Sequence, residues 1–188
     1  MSKDNQTTVK CPKCGHEASF RIWESINTDI NPELKEKVRS GEILKFLCPE
    51  CKAESMVEYP CLYHQMSDKY MVYYAPGVVD EAVKGLNDML QSTMDIPVLN
   101  SKEDGYKFRV VENRQEFNEK LAILDDGYDD RIMELVKLSL YAILMEQNPN
   151  LEINRIYYIH EKAEPEFVVV LTDDTAATTP FILSLIHI

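Results

Sequence analysis

Four cysteines occur in two Cys-Pro-x-Cys motifs, one at Cys11 and Cys14 and the other at Cys48 and Cys51. Each motif can turn the chain so that both of its thiolates reach one centre, and two such turns supply four sulfur ligands. A closed tetrahedral site of four thiolates is a common structural site for Zn²⁺. The spacing therefore predicts one structural zinc ion bound by these four cysteines.

The residues between and after the cysteines suit tight turns, which we call the two knuckles (residues 11–15 and 48–52). Pro12 and Pro49 fix φ where the turn needs no N–H donor, and Gly15 can adopt a positive φ at the end of the first knuckle. Lys52 holds the same place in the second knuckle, where a positive φ costs about 1 kcal/mol. We therefore expect the second turn to differ slightly from the first.

Two other uses of the cysteines stay open, a redox-active dithiol and thiols without a ligand. A redox Cys-x-x-Cys motif normally occurs once, at the start of a helix in a βαβ unit. Here the motif occurs twice, in sequence that is rich in turn and strand formers. This context favours the metal site.

Composition and charge restrict the class of protein. The chain has 188 residues, 45% of them hydrophobic, and a net charge of −12. The first 75 residues carry ten basic against eleven acidic side chains, so most of the negative charge lies after residue 75. Phosphate groups would be repelled by such a chain unless a local basic patch outweighed the net charge, so we expect no nucleic-acid partner.

The beginning of the sequence bears on location. No apolar segment follows Met1, so we expect neither a signal peptide nor a membrane span. Five cysteines, four of them in metal-site spacing, fit a reducing compartment better than a disulfide framework. The expected location is the cytoplasm.

Strands and one helix are predicted around the knuckles. Ala18, Phe20 and Ile22 alternate with other side chains, which indicates a strand in a hairpin over residues 7–23. Residues 32–40 are predicted to form a short helix, and residues 43–47, 55–59 and 70–74 to form strands. The sequence thus predicts an N-terminal zinc-ribbon-like antiparallel β-sheet with a helical insertion, over residues 1–75.

This order of motifs resembles the bacterial CpXC domain. The resemblance is carried by Cys-Pro-Lys-Cys-Gly, the insertion Asn-Pro-Glu-Leu-Lys-Glu-Lys-Val-Arg-Ser-Gly-Glu, Phe-Leu-Cys-Pro-Glu-Cys, Tyr-Pro-Cys-Leu-Tyr-His and Tyr-Met-Val-Tyr-Tyr, over about residues 9–75. It implies a zinc-ribbon-like module with the four cysteines as ligands, and it implies no catalytic residue, because the family has no established activity.

Residues 76–175 are predicted to form an acidic α+β region that packs on or beside the ribbon, so the fold class is α+β. Helical spacing predicts helices at 78–92, 114–124 and 129–148, and β-forming runs predict strands at 106–111, 155–161 and 166–171. The helix at 129–148 is apolar on more than one face, so we expect it to be buried or to contribute to an oligomer. Residues 176–188 are predicted to be a non-native or truncated tail.

Three other groups could carry chemistry, and for each a structural role is favoured. Cys61 and His64 have metal-like spacing, but two ligands are too few for a closed site, so a buried cysteine and a hydrogen-bonded histidine are expected. Four acidic residues between Asp125 and Asp130 could hold Ca²⁺ or Mg²⁺, but a solvated helix start is favoured over a metal site. His160 has no catalytic partner at a recognisable spacing.

These features lead to a function hypothesis with two alternatives. The leading hypothesis is a zinc-binding structural module without a recognisable catalytic site, whose partner is another protein or a second copy of the chain. One alternative is a nucleic-acid-binding zinc ribbon that uses Trp23 as a stacking ring and the basic side chains Lys10, Lys13, Arg21, Lys45 and Lys52. The other is an enzyme, either a dithiol oxidoreductase that uses one Cys-Pro-x-Cys turn or a hydrolase that uses the acidic residues between Asp125 and Asp130.

Overall fold

The structure is a computed structural model that describes residues 2–77, 105–160, 164–172 and 180–184. The chain divides into two compact units, Met1–Arg114 and Gln115–Ile188. The first unit continues beyond residue 75, where the sequence places the end of the ribbon-like domain. That domain boundary stays a prediction, as does the origin of the tail from residue 176.

The first unit contains a five-stranded sheet in the order β1-β2-β5-β6-β7. The strands are β1 (Lys3–Lys10), β2 (Glu17–Asn27), β5 (Cys61–Gln65), β6 (Tyr70–Tyr74) and β7 (Lys107–Val111). The β1–β2 and β5–β6 pairs are antiparallel, as predicted for a ribbon. The structure adds two parallel pairings, β2 with β5 and β6 with β7.

The insertion between the knuckles contains a helix, α1 (Glu33–Arg39), and a 3₁₀ turn at Glu42–Leu44. Leu34 and Val38 lie four residues apart on one side of α1, and both are buried, as the sequence predicts. Strands β3 (Lys45–Leu47) and β4 (Glu54–Met56) follow and form a separate antiparallel pair that carries the second knuckle.

Tyrosines on β5 and β6 form the centre of the large sheet. Tyr63 and Tyr70 are fully buried, and their rings stack with centroids 6.0 Å apart. Both hydroxyl groups donate to the same amide oxygen of Gln65, at 2.9 Å, so neither hydroxyl is left without a partner in the core. The sheet therefore has a core that does not involve the cysteine motifs.

The second unit has two helices and a three-stranded antiparallel sheet in the order β10-β9-β8. Its elements are α2 (Arg114–Asp125), α3 (Asp130–Gln147), β8 (Ile153–Ile159), β9 (Glu166–Leu171) and β10 (Pro180–Ser184). These bounds confirm the α+β class and lie within two residues of the predicted helices and hairpin. The helix predicted at 78–92 lies outside the described residues.

The core of the second unit forms where α2 and α3 pack on the sheet. Ile123, Met133, Leu140, Tyr158 and Phe167 are buried in one apolar cluster. The sequence predicts that α3 is buried or contributes to an oligomer, and the structure buries one of its faces, the one that carries Met133 and Leu140. Among the described helices, none combines the length and apolar character that crossing a membrane requires.

Charged side chains connect these elements beside the core. Glu119 of α2 is 5% exposed, accepts a hydrogen bond from Lys137 of α3 at 3.0 Å, and accepts the backbone N–H of Tyr158 at 2.7 Å. Asp130, 3% exposed, pairs with Lys120 at 3.1 Å. Because buried carboxylates need charged or hydrogen-bonding partners, these contacts fix α2 and α3 to strand β8.

Candidate metal centre

The first knuckle connects β1 to β2 and is closed by two backbone hydrogen bonds. The N–H of Cys11 donates to the carbonyl of His16 at 2.8 Å, and the N–H of Gly15 donates to the carbonyl of Cys11 at 2.9 Å. Gly15 adopts a φ of 74°, which a residue without a Cβ tolerates best. The turn therefore uses its glycine as the sequence predicts.

The second knuckle connects β3 to β4 and repeats the same pattern. The N–H of Cys48 donates to the carbonyl of Ala53 at 2.9 Å, and the N–H of Lys52 donates to the carbonyl of Cys48 at 3.0 Å. Lys52 itself adopts a φ of 57°. The expectation of a different second turn is wrong, because Lys52 accepts the left-handed conformation and its Nζ donates to the carbonyl of Pro49 at 2.8 Å.

The two knuckles bring their four sulfur atoms together. The Sγ atoms of Cys11 and Cys51 are 3.7 Å apart, those of Cys14 and Cys48 are 3.6 Å apart, and all four lie within 4.8 Å of one another. A tetrahedral zinc site with Zn–S bonds of about 2.3 Å has S–S edges of about 3.8 Å. The four cysteines are therefore placed where they could hold one metal ion.

The site is buried on one side and open on the other. Cys11 and Cys48 are 2% and 0% exposed, Cys51 is half-buried and Cys14 is exposed. Phe46 is buried beside them, and partly buried apolar side chains pack around this group, namely Val9, Ala18, Phe20, Ala53 and Val57. The cluster around the sulfurs is small, so it gives the ribbon only a limited core of its own.

Protonation of the thiols shows why a cation suits this site. The N–H of Cys14, followed by that of Lys13, hydrogen-bonds to the Cys11 sulfur and lowers the pKa of Cys11 to about 6. The N–H of His16 acts in the same sense on Cys14, but desolvation and the neighbouring thiols outweigh it and raise the pKa of Cys14 to about 12. One thiol is therefore more acidic than a free cysteine and the other less acidic, and a bound divalent cation would favour the thiolate form of both.

Comparison with known proteins agrees with this geometry. The profile of the CpXC protein family matches residues 9–137, which is more than half of the chain. The chain belongs to the CpXC family. The match begins before the first knuckle and continues past residue 75 into α3, so it covers more of the chain than the motifs that carry the resemblance. Neither the curated proteins nor the solved structures contain a match.

Cys61 and His64, the other pair with metal-like spacing in this CpXC protein, do not come together. Cys61 and His64 are three residues apart on β5, so their side chains lie on opposite faces of the strand. Cys61 is 1% exposed, and burial raises its pKa to about 12. His64 Nε2 lies 3.1 Å from the hydroxyl of Tyr106. The predicted structural roles of both residues are confirmed.

The acidic residues between Asp125 and Asp130 have partners within the chain. Asp129 caps α3 by accepting the N–H of Arg131 at 3.0 Å, and Asp130 is buried beside Lys120. The prediction of a helix start at these residues is therefore correct, but the prediction that they are solvated is wrong for Asp130. Among the residues that the structure describes, the four cysteines are the only group of three or more such side chains arranged to hold a metal ion.

One contact that the sequence analysis missed involves His160. Its Nδ1 lies 2.8 Å from both carboxylate oxygens of Asp126, and the hydroxyl of Tyr158 also hydrogen-bonds to Asp126. Asp126 directly follows α2 and His160 directly follows β8, 34 residues further along the chain. Sequence spacing gives no signal for such a pair, because only the packing of α2 on β8 brings the two side chains together.

Two of the basic residues predicted to bind nucleic acid, Arg21 and Lys45, are paired with acidic side chains. Trp23 and Arg21 line a cleft of about 430 Å³ between β2 and α1, and the Arg21 guanidinium lies 6.0 Å from the Trp23 ring centroid. Arg21 also pairs with Asp4 at 3.3 Å, and Lys45 pairs with Glu54 at 3.8 Å. These basic groups therefore already have acidic partners.

Proposed function

We propose that this CpXC protein is a zinc-binding structural module that mediates protein–protein contacts, with a partner protein or with a second copy of itself. The zinc ion is structural, held by Cys11, Cys14, Cys48 and Cys51. The proposed location is the cytoplasm, where reduced cysteines are the rule, and all five cysteines of the chain are free thiols.

The spacing of the four sulfurs is the observation that supports zinc most directly. Two knuckles with the same hydrogen-bond pattern present four thiolates at the edge lengths of a tetrahedron. Thiolates select soft or borderline ions such as zinc over calcium or magnesium, which take oxygen ligands. Four protein ligands leave no open position for substrate, so the ion would stabilise the fold rather than catalyse a reaction.

The nucleic-acid alternative has less support than protein contacts. Lys45 and Arg21 are paired with acidic side chains, and Lys52 donates to a backbone carbonyl. Neutralising phosphates would require breaking these contacts within a chain of net charge −12. We therefore propose a protein as the partner.

Metal analysis combined with thiol labelling tests the proposal. We expect one zinc ion per chain after purification without added metal, and slow alkylation of the ligand cysteines until a chelator is added. Cys48→Ser should lose most of the metal, whereas Cys61→Ser, which alters another buried cysteine, should keep it. A folded wild-type protein with no bound metal and one rapidly labelled thiol would contradict the proposal and favour the dithiol oxidoreductase.

A further inference from the structure

Helix α3 exposes an apolar face on the side away from the core of its unit. The exposed fractions of its large side chains are Ile132 56%, Leu135 59%, Leu138 64%, Tyr141 42% and Ile143 45%. Their exposed areas sum to on the order of 500 Å², with Leu135 and Leu138 at the centre of the face and Ile132 and Tyr141 on either side of them. An ordinary surface helix would carry charged side chains on this face.

A rotation of α3 about its own axis could not bury this apolar face without breaking other contacts. Met133 and Leu140 already fill the core side, and Lys137 is fixed to the buried Glu119 at 3.0 Å. Rotating α3 to cover Leu135 and Leu138 would break that ion pair and expose the core residues. The helix therefore has two apolar sides, and its own unit covers one of them.

The exposed side has the spacing of a helix-pairing seam. Leu135, Leu138, Ala142 and Met145 follow one another at intervals of three, four and three residues. This alternation places side chains along one line of a helix and is typical of two helices that pack along their lengths. Ala142 is exposed and small, so a second helix can approach closely there.

The charges at the ends of the seam indicate which helix fits it. Arg131 lies at the N-terminal end with a 79% exposed side chain, paired with Asp129 of its own chain, and the exposed Glu146 lies at the C-terminal end. A second copy of α3 in antiparallel orientation would place Arg131 of each chain near Glu146 of the other. A parallel copy would place like charges together.

We propose that α3 pairs with α3 of a second copy of this chain, antiparallel and around a two-fold axis. The pairing would bury on the order of 1,000 Å² in total, which is at the lower limit for a specific interface and fits a reversible dimer. This inference deepens the proposed function, since it names the protein partner as the chain itself.

Sedimentation equilibrium of the full chain, from about 1 to about 200 µM, tests the pairing. We expect a reversible dimer for the wild type and a dissociation constant at least about 100-fold larger for Leu138→Glu, because the charge would be buried in both copies. The matched control is Ile30→Glu, which changes another exposed isoleucine (54%) and should leave the dimer unchanged. A wild type that is monomeric throughout the range would overturn the inference.

Charge reversal tests the orientation and does not depend on Leu138→Glu folding. Arg131→Glu and Glu146→Arg should each weaken the dimer by about threefold to tenfold, and the double variant should restore it. A double variant no tighter than the singles rules out the antiparallel pair. Zinc content measured on the same samples separates the two proposals: a zinc-loaded monomer refutes only the pairing, and a metal-free dimer refutes only the zinc module.

Discussion

Removing the metal should unfold the two knuckles and leave the large sheet in place. Among the residues that the structure describes, the buried cluster at the sulfurs consists of Cys11, Phe46 and Cys48. Burying a phenylalanine contributes about 2–3 kcal/mol. Ordering the backbone of the two five-residue knuckles costs about 10 kcal/mol. Structural zinc binding contributes about 10–16 kcal/mol in small zinc-binding peptides, so the ion can supply what the small cluster lacks.

Hydrogen exchange at single amides directly measures whether the knuckles unfold when the metal is removed. The N–H of Gly15 and that of Lys52 close the knuckles by donating to Cys11 and Cys48. After chelation we expect both amides to exchange at least about 100-fold faster, because local opening no longer requires loss of the ion. Amides that pair β5 with β6 should change by less than about tenfold, because Tyr63 and neighbouring side chains form a core without the ion.

Two variants separate loss of the ion from loss of a buried thiol. Cys48→Ser should reproduce the exchange pattern of the chelated protein, while Cys61→Ser should retain the metal and slow exchange at Gly15 and Lys52. The second variant should still lose about 1–3 kcal/mol of stability, since it buries a hydroxyl in a site that is 1% exposed. Equal protection of the knuckle amides with and without metal would refute the reasoning, because the fold would then hold the cysteines without an ion.

Three further predictions concern single residues. Gly15→Ala should lower the free energy of unfolding by about 1 kcal/mol in urea denaturation, since φ is 74° there, whereas Lys52→Ala should change it by less because that site already holds a side chain at positive φ. Burial lowers the pKa of His64 in the folded state below its unfolded value of about 6.5. The stability that neutral His64 contributes is therefore present above about pH 6.5 and is lost as pH falls from there through the lower folded-state pKa, so His64→Gln should show a smaller loss below about pH 6.5 in thermal melts. Glu119→Ala should lower the free energy of unfolding by about 3 kcal/mol, because it removes the acceptor of the buried Tyr158 N–H and leaves the mostly buried Lys137 with only the exposed Glu134 as a partner. Glu134→Ala, whose side chain is 53% exposed, should lower it by less than about 1 kcal/mol.

The grouping of the four cysteines was predictable because most of its information lies within each motif. Two residues separate the cysteines in each motif, and the backbone of a tight turn converts that spacing into a pair of converging sulfurs. The same holds for α1, where Leu34 and Val38 lie one turn apart, and for α3, whose apolar periodicity fixes its bounds within two residues. Such features depend on neighbours along the chain and not on the rest of the fold.

Features that depend on distant packing were missed. The pairing of β2 with β5 joins Ser25 to Leu62, and no turn or hydrophobic pattern connects two parallel segments so far apart. The contact between Asp126 and His160 has the same origin, since each residue alone looks like an exposed polar side chain. The prediction for the second knuckle was wrong for a different reason. Backbone strain of about 1 kcal/mol at a positive φ is small enough for other contacts to offset, and Lys52 adopts the glycine conformation while its Nζ donates to the carbonyl of Pro49.

The two proposals place stability and recognition in different parts of the chain. A closed four-thiolate site uses every ligand position to hold β-strands together, and its ion has none left for a partner or a substrate. The exposed face of α3 is the opposite case, since Leu135 and Leu138 remain open to solvent although they contribute nothing to the core of their own unit. An exposed apolar face favours aggregation unless another surface covers it, whereas polar side chains there would improve solubility. Recognition by this CpXC protein is therefore expected at α3, and substitutions in the knuckles should affect folding before they affect binding.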